Sequence, residues 1–226
     1  MLNYTFWLLV RIRYYAMEIV TRYLGYVYLT AIGVRFGKGL KLYGFPMVSL
    51  HPNSQIRLGN YVTLRSTSEG NAIGVNHKVI LRTQSQDAIV EIGNRVGISG
   101  GAICARKRVV IGDDVLIGSN VVIADNDLHP IDYNLRKNRD DDNIEVKDVI
   151  ISNGVWIGTD AYICKGVTIG EYSVIGAKSV VTKSIPPNCI AAGIPAKVVR
   201  FYPNINDRES ITEVPSHTTG EGLGVE

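Results

Sequence analysis

In the stretch "IADNDLHPID" a histidine, His129, stands between acidic residues and a proline. A neutral imidazole titrates near physiological pH and takes protons from hydroxyls or amines, which makes His129 a candidate general base. Asp125 and Asp127 are the candidates to fix its tautomer and raise its basicity, and the proline stiffens the exit of the chain. The same residues on an ordinary polar surface loop would do no chemistry. The elements that hold them therefore matter more than their types.

From Val149 the chain falls into sixes, "IISNGVWIGTDAYICKGVTIGEYSVIGAKSVVTK". Ile151, Ile157, Ile163, Ile169, Ile175 and Val181 recur every sixth residue, a period that no single helix or hairpin produces. Val155, Ala161, Val167, Ser173 and Ser179 sit four residues after each aliphatic position. Short strands that turn every six residues wind into a three-sided prism, with the aliphatic column on its axis and glycines easing the corners. The same signal runs earlier through Ile92, Ile98 and Cys104, slips by one residue, and resumes at Ile111, Ile117 and Ile123. A β-sandwich would instead alternate, with turns every eight to twelve residues.

Between Ile123 and Val149 the ladder is broken by a polar insertion, and His129 lies at its start. A long insertion without evident secondary structure in a compact repeat is either functional or disordered. Leaving a rigid wall, its first residues can be held in place as a catalytic side chain requires. "GNAIGVNHKVILRT" is a second, earlier interruption; His77 and Asn76 there read as capping a coil. His51 in "SLHPNSQ" also reads as structural, and His217 as solvated.

Residues 1–36 are expected to form an amphipathic helical region rich in tyrosine, packed on the prism or a neighbouring subunit, or lying on a membrane surface. Residues 37–202 are expected to form the prism, with the loop at 125–148, and residues 203–226 a disordered tail. Hydrophobic residues at 46% and charged residues at 20% are those of an ordinary soluble protein. A formal charge of +3 gives no reason to expect a nucleic-acid partner. Cys104, Cys164 and Cys189 are scattered, with no CxxC pair, so the expectation is a reducing, cytoplasmic compartment without structural zinc. The first basic residue follows "FWLLV" rather than preceding it, which argues against a cleavable signal peptide.

The ladder, "NDLHP", "GVWIG", "VVTKSIPPN" and "AGIPAKVVR", in that order, resembles the hexapeptide-repeat acyltransferases of the galactoside and maltose acetyltransferase type. The likeness covers roughly residues 45 to 201 and is strongest to the sugar O-acetyltransferases of capsule and exopolysaccharide synthesis. It implies an all-β fold, a left-handed parallel β-helix, and a homotrimer with sites between subunits. It further implies acetyl-coenzyme A as co-substrate, no metal, and a sugar or glycan acceptor. His129 would deprotonate the acceptor for direct attack on the thioester.

By the same resemblance Thr159 and Ala177 would meet the pantetheine, and Thr182, Lys183, Lys197 and Arg200 the nucleotide end. Gly193 and Pro195 look structural, and Trp156 covers the prism or a subunit contact. An asparagine that the galactoside and maltose enzymes carry before the histidine is missing from "ISGGAIC". The backbone N–H of Gly100 or Gly101 is the candidate to stabilise the oxyanion instead. Sugar N-acetylation, serine O-acetylation and a non-catalytic scaffold are the alternatives on the same prism. A metal-dependent hydratase would need three converging histidines, and no two of the four lie at ligand spacing.

Overall fold

The computed structural model describes residues 2–69 and 71–202. The expected tail lies outside them. One long helix, α1 (Leu2–Ala31), leads into a column of short strands that begins at Arg35–Phe36, slightly earlier than the sequence suggests.

Three parallel sheets form the faces of the column. The first stacks Arg35–Phe36, Gln55–Leu58, Ile89–Ile92, Arg108–Ile111, Val149–Ile151 and Thr168–Ile169. The second runs from Lys41–Tyr43 through Thr63–Arg65, Gly97–Ser99, Leu116–Ile117, Trp156–Ile157 and Val174–Ile175 to Cys189–Gly193. The third stacks Met47–Ser49, Ile80–Thr83, Ala102–Ala105, Val122–Ala124, Tyr162–Ile163 and Val180–Val181. Each turn of chain visits the three faces in order. The architecture is the three-sided prism that the hexads imply and the left-handed parallel β-helix that the resemblance implies.

The periodic residues fill the axis. Ile151, Ile157, Ile163, Ile169, Ile175 and Val181 are fully buried, and Val155, Ala161, Val167, Ser173 and Ser179 are buried at the corners. One position departs from the expected column: Ile103, not Cys104, points inward in the strand Ala102–Ala105. The corner at Gly100 and Gly101 brings the next interior residue five positions after Ile98 instead of six. That one-residue shortening flips the side chains that follow.

A polar ladder holds neighbouring coils in register where the first face turns into the second. Asn94 Oδ1 accepts the Asn60 N–H at 2.9 Å, Asp113 Oδ1 accepts the Asn94 N–H at 2.7 Å, and Asn153 Oδ1 accepts the Asp113 N–H at 2.8 Å. The Asn94 amide and backbone hold the Asp113 carboxyl below the usual carboxylate range.

Each end of the column carries an added element. The antiparallel strand Ala196–Phe201 folds back on Cys189–Gly193 at one end. At the other, Thr21 Oγ1 donates to the Leu42 carbonyl at 3.1 Å and Tyr26 Oη to the Leu40 carbonyl at 2.5 Å. These α1 side chains satisfy edge carbonyls that would otherwise invite another strand. Gly25 permits the contact, because a Cβ there would collide with the Leu42 side chain.

Candidate active site

The strand Val122–Ala124 ends on the corner between the third and first faces, and residues 125–148 leave the column there. The loop has structure of its own, contrary to the sequence reading. Asn126 pairs antiparallel with Val146, and the Lys147 N–H donates to the Asp125 carbonyl at 2.8 Å, so the two arms run side by side. Asp132 caps a short helix, α2 (Tyr133–Lys137), by accepting from the N–H groups of Asn134 and Leu135 at 2.8 and 3.0 Å. A 3-10 turn at Asp141–Asn143 follows, and Pro130 and Ile144 are buried at the loop base.

Asp125 is fully buried, and its carboxylate is saturated by its surroundings. It accepts the N–H groups of Arg106, Lys107 and Arg108 at 2.8, 2.7 and 2.7 Å and the Asn126 amide at 2.8 Å. Asp125 therefore holds the corner of the preceding coil. Asp127 is also engaged: Lys165 Nζ lies 2.6 Å from both of its oxygens and 3.2 Å from Glu145. Asp127 in the first instance, burial opposing and Glu145 adding to it, raises the Lys165 pKa above its ordinary value. Among the described residues neither aspartate hydrogen-bonds to His129, so the expected tautomer partner is not found within one protomer. Asp127 braces the loop that carries His129 through Lys165, whereas Asp125 secures the coil beneath it.

His129 is exposed and opens onto a concavity of about 470 Å³ lined by Arg136, Arg139 and Asp141 as well. Arg136 Nη1 donates to the carbonyls of Pro130 and Ile131 at 3.0 and 2.7 Å, fastening α2 over the segment that carries the histidine. Two guanidinium groups, a carboxylate and an imidazole offer the donors and acceptors that sugar hydroxyls need. Sequence reasoning did not single out Arg136, Arg139, Asp141 or Lys165. The only signal for α2 was Asp132 just after Pro130.

The other expected site residues divide between two corners. Thr182 and Lys183 follow the strand Val180–Val181 and are exposed on His129's own corner, two coils further along. Thr159, Ala177 and Lys197 lie where the second face turns into the third. There the coils approach closely, since a Cβ on Gly158 would stand 2.5 Å from the Ala177 nitrogen. The N–H groups of Thr159 and Ala177 donate to no described residue, leaving two amide donors at this corner. Arg200 pairs with Ile190 on the second face, in the row containing Trp156 and Val174. Lys183, Lys197 and Arg200 have no acidic partner among the described residues, so their charges are available to phosphates.

Gly100 and Gly101 occupy the second-to-third corner as well, two coils before Thr159, and not His129's corner. The Gly100 N–H already donates to the Arg65 carbonyl at 2.8 Å, so it is not an oxyanion donor. Gly101 is buried, and within one protomer the fold does not bring it to the imidazole. Cys104 and Cys164 have thiol pKa values raised by burial and are poor nucleophiles. No cluster of metal-ligating side chains occurs among the described residues.

Residues 148–183 match the family model described as bacterial transferase hexapeptide (six repeats). A putative acetyltransferase of Saccharomyces cerevisiae is 33% identical over 179 residues, which are 74% of this chain and 87% of that protein. The chain belongs to the hexapeptide-repeat transferases. This hexapeptide transferase is also 50% identical to galactoside O-acetyltransferase of Escherichia coli K12 over 101 residues, 45% of its own length. That match spans 46% of the galactoside enzyme, less than half of it. In fold, the hexapeptide transferase is similar to a mutant of AntD, an N-acyltransferase from Bacillus cereus. The TM-score is 0.58 at 19% identity, covering 80% of this chain and 92% of that one.

Proposed function

We propose that the protein is an acetyl-coenzyme A-dependent O-acetyltransferase acting on a sugar hydroxyl of a capsule, exopolysaccharide or lipid-linked glycan. The observation that carries the reading is His129, an exposed imidazole on a braced loop at the mouth of a concavity of about 470 Å³ that Arg136, Arg139 and Asp141 also line. The resemblance to a galactoside O-acetyltransferase supports an uncharged hydroxyl acceptor.

Acetyl-coenzyme A supplies a thioester carbonyl as the acyl donor. His129 takes the proton of the acceptor hydroxyl as its oxygen bonds to that carbonyl carbon. The carbon–sulfur bond then breaks, and the imidazolium returns the proton to the departing thiolate. General-base assistance of this kind contributes about a hundred- to ten-thousandfold. Arg136, Arg139 and Asp141 orient the sugar.

The residues assigned to coenzyme A support a subunit-shared site. Thr159, Ala177 and Lys197 line one corner, whereas His129, Thr182 and Lys183 line another, with the whole third face between them. Side-by-side packing of three copies would set one corner against the other corner of a neighbour, making each groove from two protomers. We place the enzyme in the cytoplasm, where acetyl-coenzyme A is available. The testing experiment is acetyl transfer from acetyl-coenzyme A to a panel of galactosides, nucleotide sugars, amino sugars and serine. Thiol release that depends on a sugar hydroxyl is expected; coenzyme A binding without transfer to any acceptor would leave only a scaffold.

A further inference from the structure

Helix α1 bears an apolar surface that the column leaves uncovered. Only its C-terminal third is docked, with Thr21, Gly25 and Leu29 buried against the first coil. Toward the N-terminus Phe6, Trp7, Leu8, Leu9 and Val10 are 70, 48, 43, 59 and 47% exposed. Five consecutive residues, at about 3.6 per turn, face every direction around the axis. The apolar surface then continues through Ile12, Ile19, Val20, Tyr23, Leu24 and Val27.

A helix that lies in a membrane interface pairs a broad apolar surface with basic and polar side chains, and α1 carries both, the apolar run Phe6–Val10 beside Arg11 and Arg13. An exposed patch of this extent is not ordinarily left to water. No helix among the described residues is long and apolar enough to cross a membrane, so the arrangement fits a helix lying in the interface.

The charges fit as well. Arg11, Arg13 and Arg22 face one acid, Glu18, along the helix. Arg11 lies 4.7 Å from the Trp7 ring centroid and 5.7 Å from that of Tyr15, and donates to the Tyr15 hydroxyl at 3.0 Å. A guanidinium among amphipathic rings suits the headgroup layer, where aromatic and basic side chains collect. Arg13 makes an exposed ion pair with Glu69 at 2.6 Å, a contact that adds little to the docking of the helix.

We infer that α1 seats the protein on an anionic lipid surface, with Phe6–Val10 at the acyl boundary and Arg11 and Arg22 at the headgroups. The first coil then faces the membrane. His129 follows the fourth coil, and at about 4.8 Å per coil it sits roughly 15 Å above the first, within reach of a glycan still attached to lipid.

The test uses the full chain with Trp156→Phe, which leaves Trp7 as the one tryptophan. It is mixed with vesicles of phosphatidylcholine alone or with phosphatidylglycerol, with and without brominated acyl chains. Co-sedimentation with the anionic vesicles, a blue shift of Trp7 emission and quenching by the brominated chains are expected. A Phe6→Ser, Leu9→Ser double variant should lose at least tenfold in vesicle affinity at an unchanged melting temperature and sedimentation coefficient. Absence of Trp7 quenching in anionic vesicles would overturn the inference, whether or not the double variant folds. So would a double variant that sediments as a smaller particle, which would make a second copy the occupant.

Discussion

Lys165 Nζ stands 2.6 Å from both oxygens of Asp127 and 3.2 Å from Glu145. One ammonium on the next coil thus joins the outgoing and returning arms of the loop, two residues from His129. Lys165 is mostly buried, so the bridge is less screened than a surface pair.

Lys165 is a positioning residue. Small displacements at a reacting centre cost up to about a hundredfold in rate. Lys165→Met should lower kcat about ten- to a hundredfold with the dissociation constant for coenzyme A unchanged, and should expose the loop to limited proteolysis. Lys165→Arg should restore most of the rate. An equal loss of both constants would instead mean that the column itself had been damaged.

Asp125 acts on stability. With Asp125→Ala, the N–H groups of Arg106, Lys107 and Arg108 lose their acceptor, at a cost of about 3 kcal/mol or more. Thermal unfolding should show a midpoint many degrees lower. Turnover per folded molecule well below the temperature of the transition should stay within a few-fold of the parent.

The aliphatic hexads from Ile151 to Val181 were readable because a prism axis admits only such side chains, at constant spacing. The inward side failed at Cys104, because one corner is a residue short and register propagates through a strand by alternation. His129 was visible as a titratable group leaving a rigid wall, yet its supports were not. Asp125 is adjacent in sequence but turned into the previous coil, while Lys165 and Glu145 reach the site from distant positions. Sequence distance does not show which carboxylate faces an imidazole. The helix was legible as a helix; that Phe6–Val10 are left uncovered emerged only once the face covered by the column was known.

Acid should loosen the column through its polar ladder. The Asp113 pKa is lowered in the fold, so its contribution is present above the unfolded value, about 3.9, and is lost as pH falls through the folded value. Asp113→Asn keeps an amide oxygen for the Asn94 N–H. Its stability should therefore vary less than the parent's between about pH 4 and pH 2, measured by urea unfolding.

The basic residues near the nucleotide end should act on substrate affinity. Lys183→Ala is expected to raise KM for acetyl-coenzyme A about tenfold, the size of one charge-assisted phosphate contact. With acetyl-pantetheine, which lacks the nucleotide, parent and variant should have the same KM. A shift of equal size with both donors would place Lys183 away from the phosphates.

The most direct test of the account is the rate of acetyl transfer by His129→Ala at saturating donor and acceptor, with coenzyme A binding measured in parallel. A loss of a hundredfold or more in kcat is predicted, with coenzyme A affinity and melting temperature retained. Turnover within a few-fold of the parent would show that the imidazole is not the base.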